Sequence, residues 1–373
     1  MNSAADVVIL GCGIVGAATA LECARAGMSV TVVEQDTPGS GATAAGMGHI
    51  VVMDDSPAQL ALTTYSRSLW NQLSPELPAS VEYNRSGTIW VAADDDEMAE
   101  VHRKLACYAQ AGVTAEAINP NELSEAEPNL HPALAGGLLV PDDAVLYPPA
   151  AARFLMDQAR RHNARLVYGR CLSAARGEVL LEDGTRLHAG ILVNATGAVS
   201  PELTPGISVK KRKGHLVITD RYPNFLNHQL VELGYLKSAH STTADSVAFN
   251  VQPRLTGQIL IGSSRQFDAE DNQVDRGIVA DMLERAALYM PAIAGLSALR
   301  IWSGFRAATP DKLPLIGPTE DPTLFLATGH EGLGITTSLA TAHLLTDHLL
   351  HRPSTIAPEP YLPSRLAVGA AHV

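Results

Sequence analysis

The first apolar run, Asp6-Val-Val-Ile-Leu10, has no polar position inside it. That pattern predicts a short strand covered on both faces. It passes into Gly11-Cys-Gly13-Ile-Val-Gly16 and then into small and apolar residues from Ala17 to Arg25, a predicted helix that stops at Gly27. A second β-branched run, Ser29–Val33, ends on Glu34. Thr88–Ala92, His215–Thr219, Val247–Val251 and Gln258–Ile261 read as antiparallel strands. Ile191–Asn194 and Leu324–Ala327 are further buried strands, and a helical pattern runs on to about Leu350. Beyond Arg352 the prolines at 353, 358, 360 and 363 predict an irregular terminal arm.

The uncharged stretch Val7–Leu21 could pass for the core of a signal peptide, but it follows Asp6 rather than a basic segment and is interrupted by glycines. It also falls short of the roughly 20 residues that span a bilayer. The apolar stretch Ala286–Leu299 is broken by Pro291. The expectation is a soluble chain without a transmembrane segment.

A length of 373 residues implies two or three domains, at about 150 residues each. With 46 % hydrophobic and 18 % charged residues, the chain has ample material for a core. The 27 Lys and Arg against 39 Asp and Glu leave a formal charge of −12, which argues against nucleic acid as a partner. The one dense basic run, Lys210–Lys213, does not outvote that balance. The scattered Cys12, Cys23, Cys107 and Cys171 form no metal-binding or disulfide pattern, and reduced thiols fit a cytoplasmic protein.

The strand, glycines, helix, second strand and terminal acid stand in the order a dinucleotide site requires. Gly11 permits the tight turn, Gly13 admits a pyrophosphate to the backbone, and Gly16 lets helix and strand pack closely. Ile14 and Val15 open the helix whose free N–H groups would meet the pyrophosphate. Glu34, with Gln35 after it, would accept hydrogen bonds from an adenosine ribose and repel a 2′-phosphate. NAD and FAD share this half, so the fingerprint alone does not choose between them.

Later motifs do. Gly39-Ser-Gly41-Ala-Thr43-Ala-Ala-Gly46-Met-Gly48-His49 is dense in small residues, as where backbone presses on a ligand. Asn194-Ala-Thr196-Gly197 ends a buried strand, Gly304-Phe-Arg306 leads into a Pro/Gly-rich loop, and Thr328-Gly329-His330-Glu-Gly332-Leu-Gly334-Ile-Thr336 opens the last long helix. In this order, from Val7 to about Leu350, these motifs resemble the D-amino acid oxidase family of flavoenzymes, which includes glycine oxidase, sarcosine oxidase and D-amino acid dehydrogenases. Gly214–Asp220 and Gln229–His240 look most like D-hydroxyproline dehydrogenases.

The resemblance implies an α/β protein: a Rossmann-like FAD-binding domain of the glutathione-reductase-like type with a mixed, largely antiparallel substrate domain roofing the flavin. The FAD-binding domain is expected from residues 1–80, 145–213 and 305–373, and the substrate domain from 81–144 and 214–304. Thr43, Ala44, Gly46, Met47 and Gly48 would line pyrophosphate and flavin, with Thr196 and Gly197 close by. Gly332, Leu333, Gly334, Ile335 and Thr336 would meet the pyrimidine end of the ring system, where a helix N-terminus suits the charge of reduced flavin. Gly304 stands where some sarcosine oxidases carry a tethering cysteine, so the FAD is expected to be non-covalent.

By the same resemblance Arg306 pairs with a substrate carboxylate, a task suited to a planar guanidinium. Asn250 stands where the family has a tyrosine, which Tyr235 or His240 could replace. His49 and His330 place imidazoles near the flavin, and Arg265 faces either pocket or solvent. The implied reaction is oxidation of the C–N bond of a small D- or cyclic amino acid, D-proline or cis-4-hydroxy-D-proline first. Electrons would pass to oxygen, to a quinone (with the protein peripheral at the inner membrane), or to a partner chain in a hetero-oligomer. A glycine/sarcosine-type oxidase and an NAD-dependent dehydrogenase are the other enzyme readings. The latter leaves Gly39–Gly48 and Gly329–Thr336 without a task.

Overall fold

The computed structural model describes residues 5–234, 245–267 and 269–367. The opening unit is strand β1 (Ala5–Leu10), helix α1 (Ile14–Arg25) and strand β2 (Val30–Glu34). The two strands pair in parallel, with Val7 opposite Val30 and Leu10 opposite Val33. The missing alternation in β1 has a direct cause. Val7 and Ile9 enter the large core around α1, whereas Val8 and Leu10 enter a second cluster with Val179 and Leu192. Both faces are covered, so no polar position is tolerated.

Helix α1 buries Ala17, Ala18, Ala20, Leu21, Cys23 and Ala24, and its small side chains let it share a core with the helices Pro148–Arg161 and Gly334–Leu349. Full burial of a residue of Leu21's size contributes about 1.5–3 kcal/mol. The first sheet runs Leu315–Pro318, Leu324–Thr328, Arg186–Asn194, β1, β2, Arg165–Tyr168. Along this path the neighbours are parallel except the outermost pair, Leu315–Pro318 with Leu324–Thr328; off it, Glu178–Leu181 pairs antiparallel with both Arg186–Asn194 and Cys171–Ala175. The loops at the carboxyl ends of these strands, where open parallel sheets bind ligands, supply Gly11, Gln35, Thr196 and Gly329.

The second sheet runs Ala298–Ala308, Lys210–Thr219, Ile259–Arg265, Ser246–Pro253, Gln229–Glu232, Thr88–Ala92, Gly136–Val140, Glu116–Ile118. Its neighbours are antiparallel apart from Gln229–Glu232 with Thr88–Ala92. One face carries Ile89, Val91, Leu230, Phe249, Val251 and Ile261 into a core capped by the helix Arg276–Tyr289. The intervening positions are left for the other face, which turns toward the first sheet's loops.

The terminal arm is irregular but fixed: Tyr361 is buried and its hydroxyl donates to the Ala58 carbonyl at 2.6 Å. Among the described residues no helix is long and apolar enough to cross a membrane.

Candidate functional site

Loops of the first sheet and the open face of the second enclose a cavity of about 630 Å³, within the range of about 300–1,000 Å³ usual for ligand sites. At one end it is lined by Gly11, Gly13, Ile14, Val15, Glu34 and Gln35. Gly11 has φ +94°, a conformation that favours glycine. A side chain at Gly16 would collide with the Gly11 carbonyl, so this glycine serves helix–strand contact and does not line the cavity. At Gly13 a Cβ would meet only Thr43 Oγ1, at 3.2 Å. The approach over Gly13 is therefore open, and α1 starts there with no side-chain cap from that residue. The Thr43 hydroxyl accepts from the Ile14 N–H at 3.0 Å, tying the loop 39–48 to the helix start. One Glu34 carboxylate oxygen accepts from the Cys12 N–H at 2.6 Å, the other from the Asp36 N–H at 2.9 Å. Each keeps lone-pair capacity for a ribose hydroxyl.

These features fit the ADP half of FAD: an open glycine, a helix N-terminus and a buried acceptor carboxylate. Gly169, Arg170 and Cys171 extend this end, and Gly169 N–H donates to the Glu34 carbonyl at 2.9 Å. The sequence reading missed them, although they follow Arg165–Tyr168, the strand beside β2, at its carboxyl end. Cys171 therefore lines the cavity, but from the first sheet, whereas Gly304 lies on the edge strand of the second. A cysteine at Gly304 would collide with the Ala45 methyl.

Gly46, Met47, Thr196 and Gly197 line the middle, and Gly304, Gly332, Leu333, Gly334 and Ile335 the far end. Asn194 shapes the turn by accepting from Thr196 N–H and donating to the Ser200 carbonyl. The helix Gly334–Leu349 begins at Leu333 without a side-chain cap, leaving its first N–H groups toward the cavity. Trp70 Nε1 donates to the Ile335 carbonyl at 3.2 Å and holds this helix start in place.

Three further expected cofactor residues lie off the cavity. Ala44 is exposed on the outer side of its short helical turn, and Ala42 and Ala45 take the inner side. Gly48 is pressed against the Leu146 carbonyl, where a Cβ would not fit. Thr336 is buried, donating to the His49 carbonyl at 2.9 Å and accepting from Val51 N–H at 3.3 Å. It supports the site from behind.

Arg306, His49, His330, Asn250 and Arg265 all reach the cavity, whereas Tyr235 and His240 lie outside the described residues. Arg306 Nη1 donates to the Ser264 carbonyl at 2.9 Å, and its guanidinium lies over Gly214, where a Cβ would stand 2.5 Å from Nη1. Behind it, Ser264 Oγ accepts from His215 N–H at 2.9 Å, and His215 Nε2 accepts from Asp275 N–H at 3.1 Å. Burial and neighbouring Lys213 hold the His215 imidazole below its ordinary pKa. Glu331 pairs with Arg212 at 3.1 Å and Arg265 at 3.8 Å beside the cavity.

His49 Nε2 lies 3.3 Å from the Gly332 carbonyl, which can only accept, so that nitrogen carries the proton. Its Nδ1 is then a buried acceptor with no partner among the described residues. Burial, with Arg306 nearby, pushes its pKa down to about 4, so the ring is neutral at neutral pH. Burial likewise pushes His330 down to about 3, and its Nε2 faces Thr341 Oγ1 at 3.0 Å. His330 therefore spends one nitrogen on the helix rather than on the cavity.

The open sheet face adds Thr88, Trp90, Gln229 and Val231 to the lining, none of them anticipated. The signal was present: Thr88 and Gln229 are polar residues that open strands and are followed directly by apolar core positions.

A family model described as DAO, FAD dependent oxidoreductase, matches residues 6–348. The hydrogen cyanide synthase subunit HcnC of Pseudomonas aeruginosa is 28 % identical over 414 residues, covering 96 % of this chain and 96 % of that protein. Glycine oxidase of Geobacillus kaustophilus is 29 % identical over 367 residues, covering 94 % of each chain. Its crystal structure superposes with a TM-score of 0.87 over 98 % of this chain and 99 % of that one. A D-amino acid dehydrogenase of Xanthobacter autotrophicus is 26 % identical over 410 residues, covering 91 % of this chain and 94 % of that protein.

Proposed function

The chain belongs to the family of FAD-dependent oxidoreductases whose model spans it, and on that premise we propose that it oxidises the C–N bond of a small D- or cyclic amino acid to an imine. D-Proline and cis-4-hydroxy-D-proline are the first substrates of this reading. FAD, once bound, supplies the two-electron acceptor for a hydride leaving the α-carbon. Gly11, Gly13, Ile14, Val15, Glu34 and Gln35 would hold its ADP half, and Gly332 to Ile335 its ring end.

The observation that carries the substrate class is Arg306. Of the guanidiniums that reach the cavity, Arg170 lies at the Glu34 end and Arg265 pairs with Glu331, whereas Arg306 is steered by Ser264 and given room by Gly214. A forked cation in a partly dry cavity selects a carboxylate. His49 Nδ1 can accept a hydrogen bond from the amine, and at a pKa of about 4 it leaves the amine to arrive in its neutral form from solvent. The division into a cofactor part and a substrate part belongs to this reading. Lys210–Thr219 and Ala298–Ala308 pass from one part to the other, which is how Arg306 and Gly214 share one strand pair.

A second reading, favoured by the likeness to HcnC, makes the chain the flavin subunit of a hetero-oligomer that passes electrons to partner chains. The likeness to glycine oxidase favours a glycine- or sarcosine-type substrate at the same site.

The test is to purify the chain, extract and identify its flavin, and offer D-, L- and N-methyl amino acids with either oxygen or a dye acceptor. Non-covalent FAD and acceptor reduction by small D- or cyclic amino acids support the proposal. Protein that cannot be loaded with FAD, or FAD-loaded protein that oxidises none of them, overturns it.

A further inference from the structure

Part of the cavity wall is more polar than closing a core requires. The registered pairs Gln229 with Thr88, Val231 with Trp90 and Val231 with Asn250 put these side chains on one face of the second sheet. The alternate residues Ile89, Val91, Leu230, Phe249 and Val251 enter the core behind. Gln229 and Trp90 are each 2 % exposed and Asn250 8 %. Yet Gln229 Oε1, Asn250 Oδ1 and Trp90 Nε1 have no hydrogen-bond partner among the described residues. Buried polar atoms are ordinarily paired, and a wall left unpaired in the free protein is suited to a ligand that pairs it.

We infer that this face is a subsite for a substrate hydroxyl, with Asn250, Gln229 and Trp90 as specificity-determining residues; the inference rests on the amino-acid reading above. A hydroxyl carries one proton, so it can donate to one of the two amide oxygens while it accepts from the indole N–H. An alkyl group leaves all three unpaired. The distances agree with a small substrate. Asn250 lies on the strand next to the one bearing Ser264, whose carbonyl holds Arg306, and neighbouring strands are about 5 Å apart. A carboxylate on Arg306 would therefore bring the rest of a small substrate to within about one strand spacing of Asn250. Trp90 is fixed from behind by the fully buried Lys104, whose Nζ sits 4.6 Å from the ring centroid and is ion-paired with Asp54.

The experiment measures kcat/KM of the FAD-loaded enzyme for pairs that differ by one hydroxyl: serine against alanine and 4-hydroxyproline against proline, in both configurations. The hydroxylated member is expected to be favoured roughly ten- to a hundredfold, because the analogue lacking the hydroxyl leaves buried polar atoms unpaired. Asn250→Leu, Gln229→Met and Trp90→Phe keep shape and remove one polar atom group each. Each should pull the ratio toward one by losing rate on the hydroxylated member, with FAD content unchanged. If one variant fails to fold, the others, on different strands, read the same ratio. Equal rates on both members of every pair, or variants that lower both members alike, overturn the inference while leaving amino-acid oxidation standing. No oxidation of any member overturns both.

Discussion

Replacing Gly214 with alanine tests Arg306 without touching it. A Cβ on this backbone would stand 2.5 Å from Arg306 Nη1, 2.8 Å from Nη2 and 2.9 Å from Cζ. Ordinary contact begins near 3.5 Å, so the guanidinium must retreat by about 1 Å. The obstacle is the far end of a flexible side chain, and Gly214 does not have a left-handed φ, so the chain can still fold. The retreat breaks the 2.9 Å bond to the Ser264 carbonyl and unseats the fork from the position it offers a carboxylate. A hydrogen bond to a charged partner contributes roughly 1.5–3 kcal/mol, which corresponds to about ten- to a hundredfold in kcat/KM. The assay is steady-state kinetics on protein matched for FAD content. We expect a raised KM, full FAD occupancy and a melting temperature close to that of the parent. Arg306→Met should behave alike, and combining the two should add little, since both remove one interaction. An unchanged KM in Gly214→Ala would refute the placement of the anchor.

Gly13→Ala and Gly16→Ala should fail differently: the first folds but binds FAD at least about tenfold more weakly, because its new methyl meets only Thr43 Oγ1 at 3.2 Å and stands in the approach to the helix start. The second collides with the Gly11 backbone, which cannot yield, and should lose about 3 kcal/mol or more of stability in denaturant titration. His330, held neutral to about pH 3, takes up a proton at about 6.5 only when the chain unfolds. Its contribution is thus complete above about pH 6.5 and declines as pH falls toward 3, at about 1.4 kcal/mol per unit. His330→Gln should flatten that acid limb in urea titrations at several pH values. His49 has the same sign and keeps some slope in place, and an undiminished slope in the variant would contradict the assignment.

The nucleotide end was legible because its requirements are local. Gly11, Gly13, Gly16 and Glu34 do their work within one β–α–β unit, so spacing along the chain is spacing in space. The fold class followed from the same unit together with the order of the later motifs. The substrate wall was less legible. Asn250 stood out from its place in a motif, but Trp90 and Gln229 come from strands far apart in sequence that pair in parallel, across a long connection that leaves no turn signature. Ala44, Gly48 and Thr336 show the converse error. They sit within the right motifs, but the backbone turns one outward, packs one on Leu146 and uses one as a brace. Proximity in sequence to a ligand loop does not determine which side of the loop a residue faces.

Anaerobic stopped-flow reduction of the bound FAD by D-proline reads directly whether this chain holds FAD beside an arginine-anchored amino-acid site. The parent protein should lose its oxidised-flavin absorbance at a rate that saturates with substrate. Arg306→Met, with the same FAD content, should show a rate that rises linearly without saturating. Saturation at the same concentration in both proteins, or no reduction of the parent by any small amino acid, would rule out such a site.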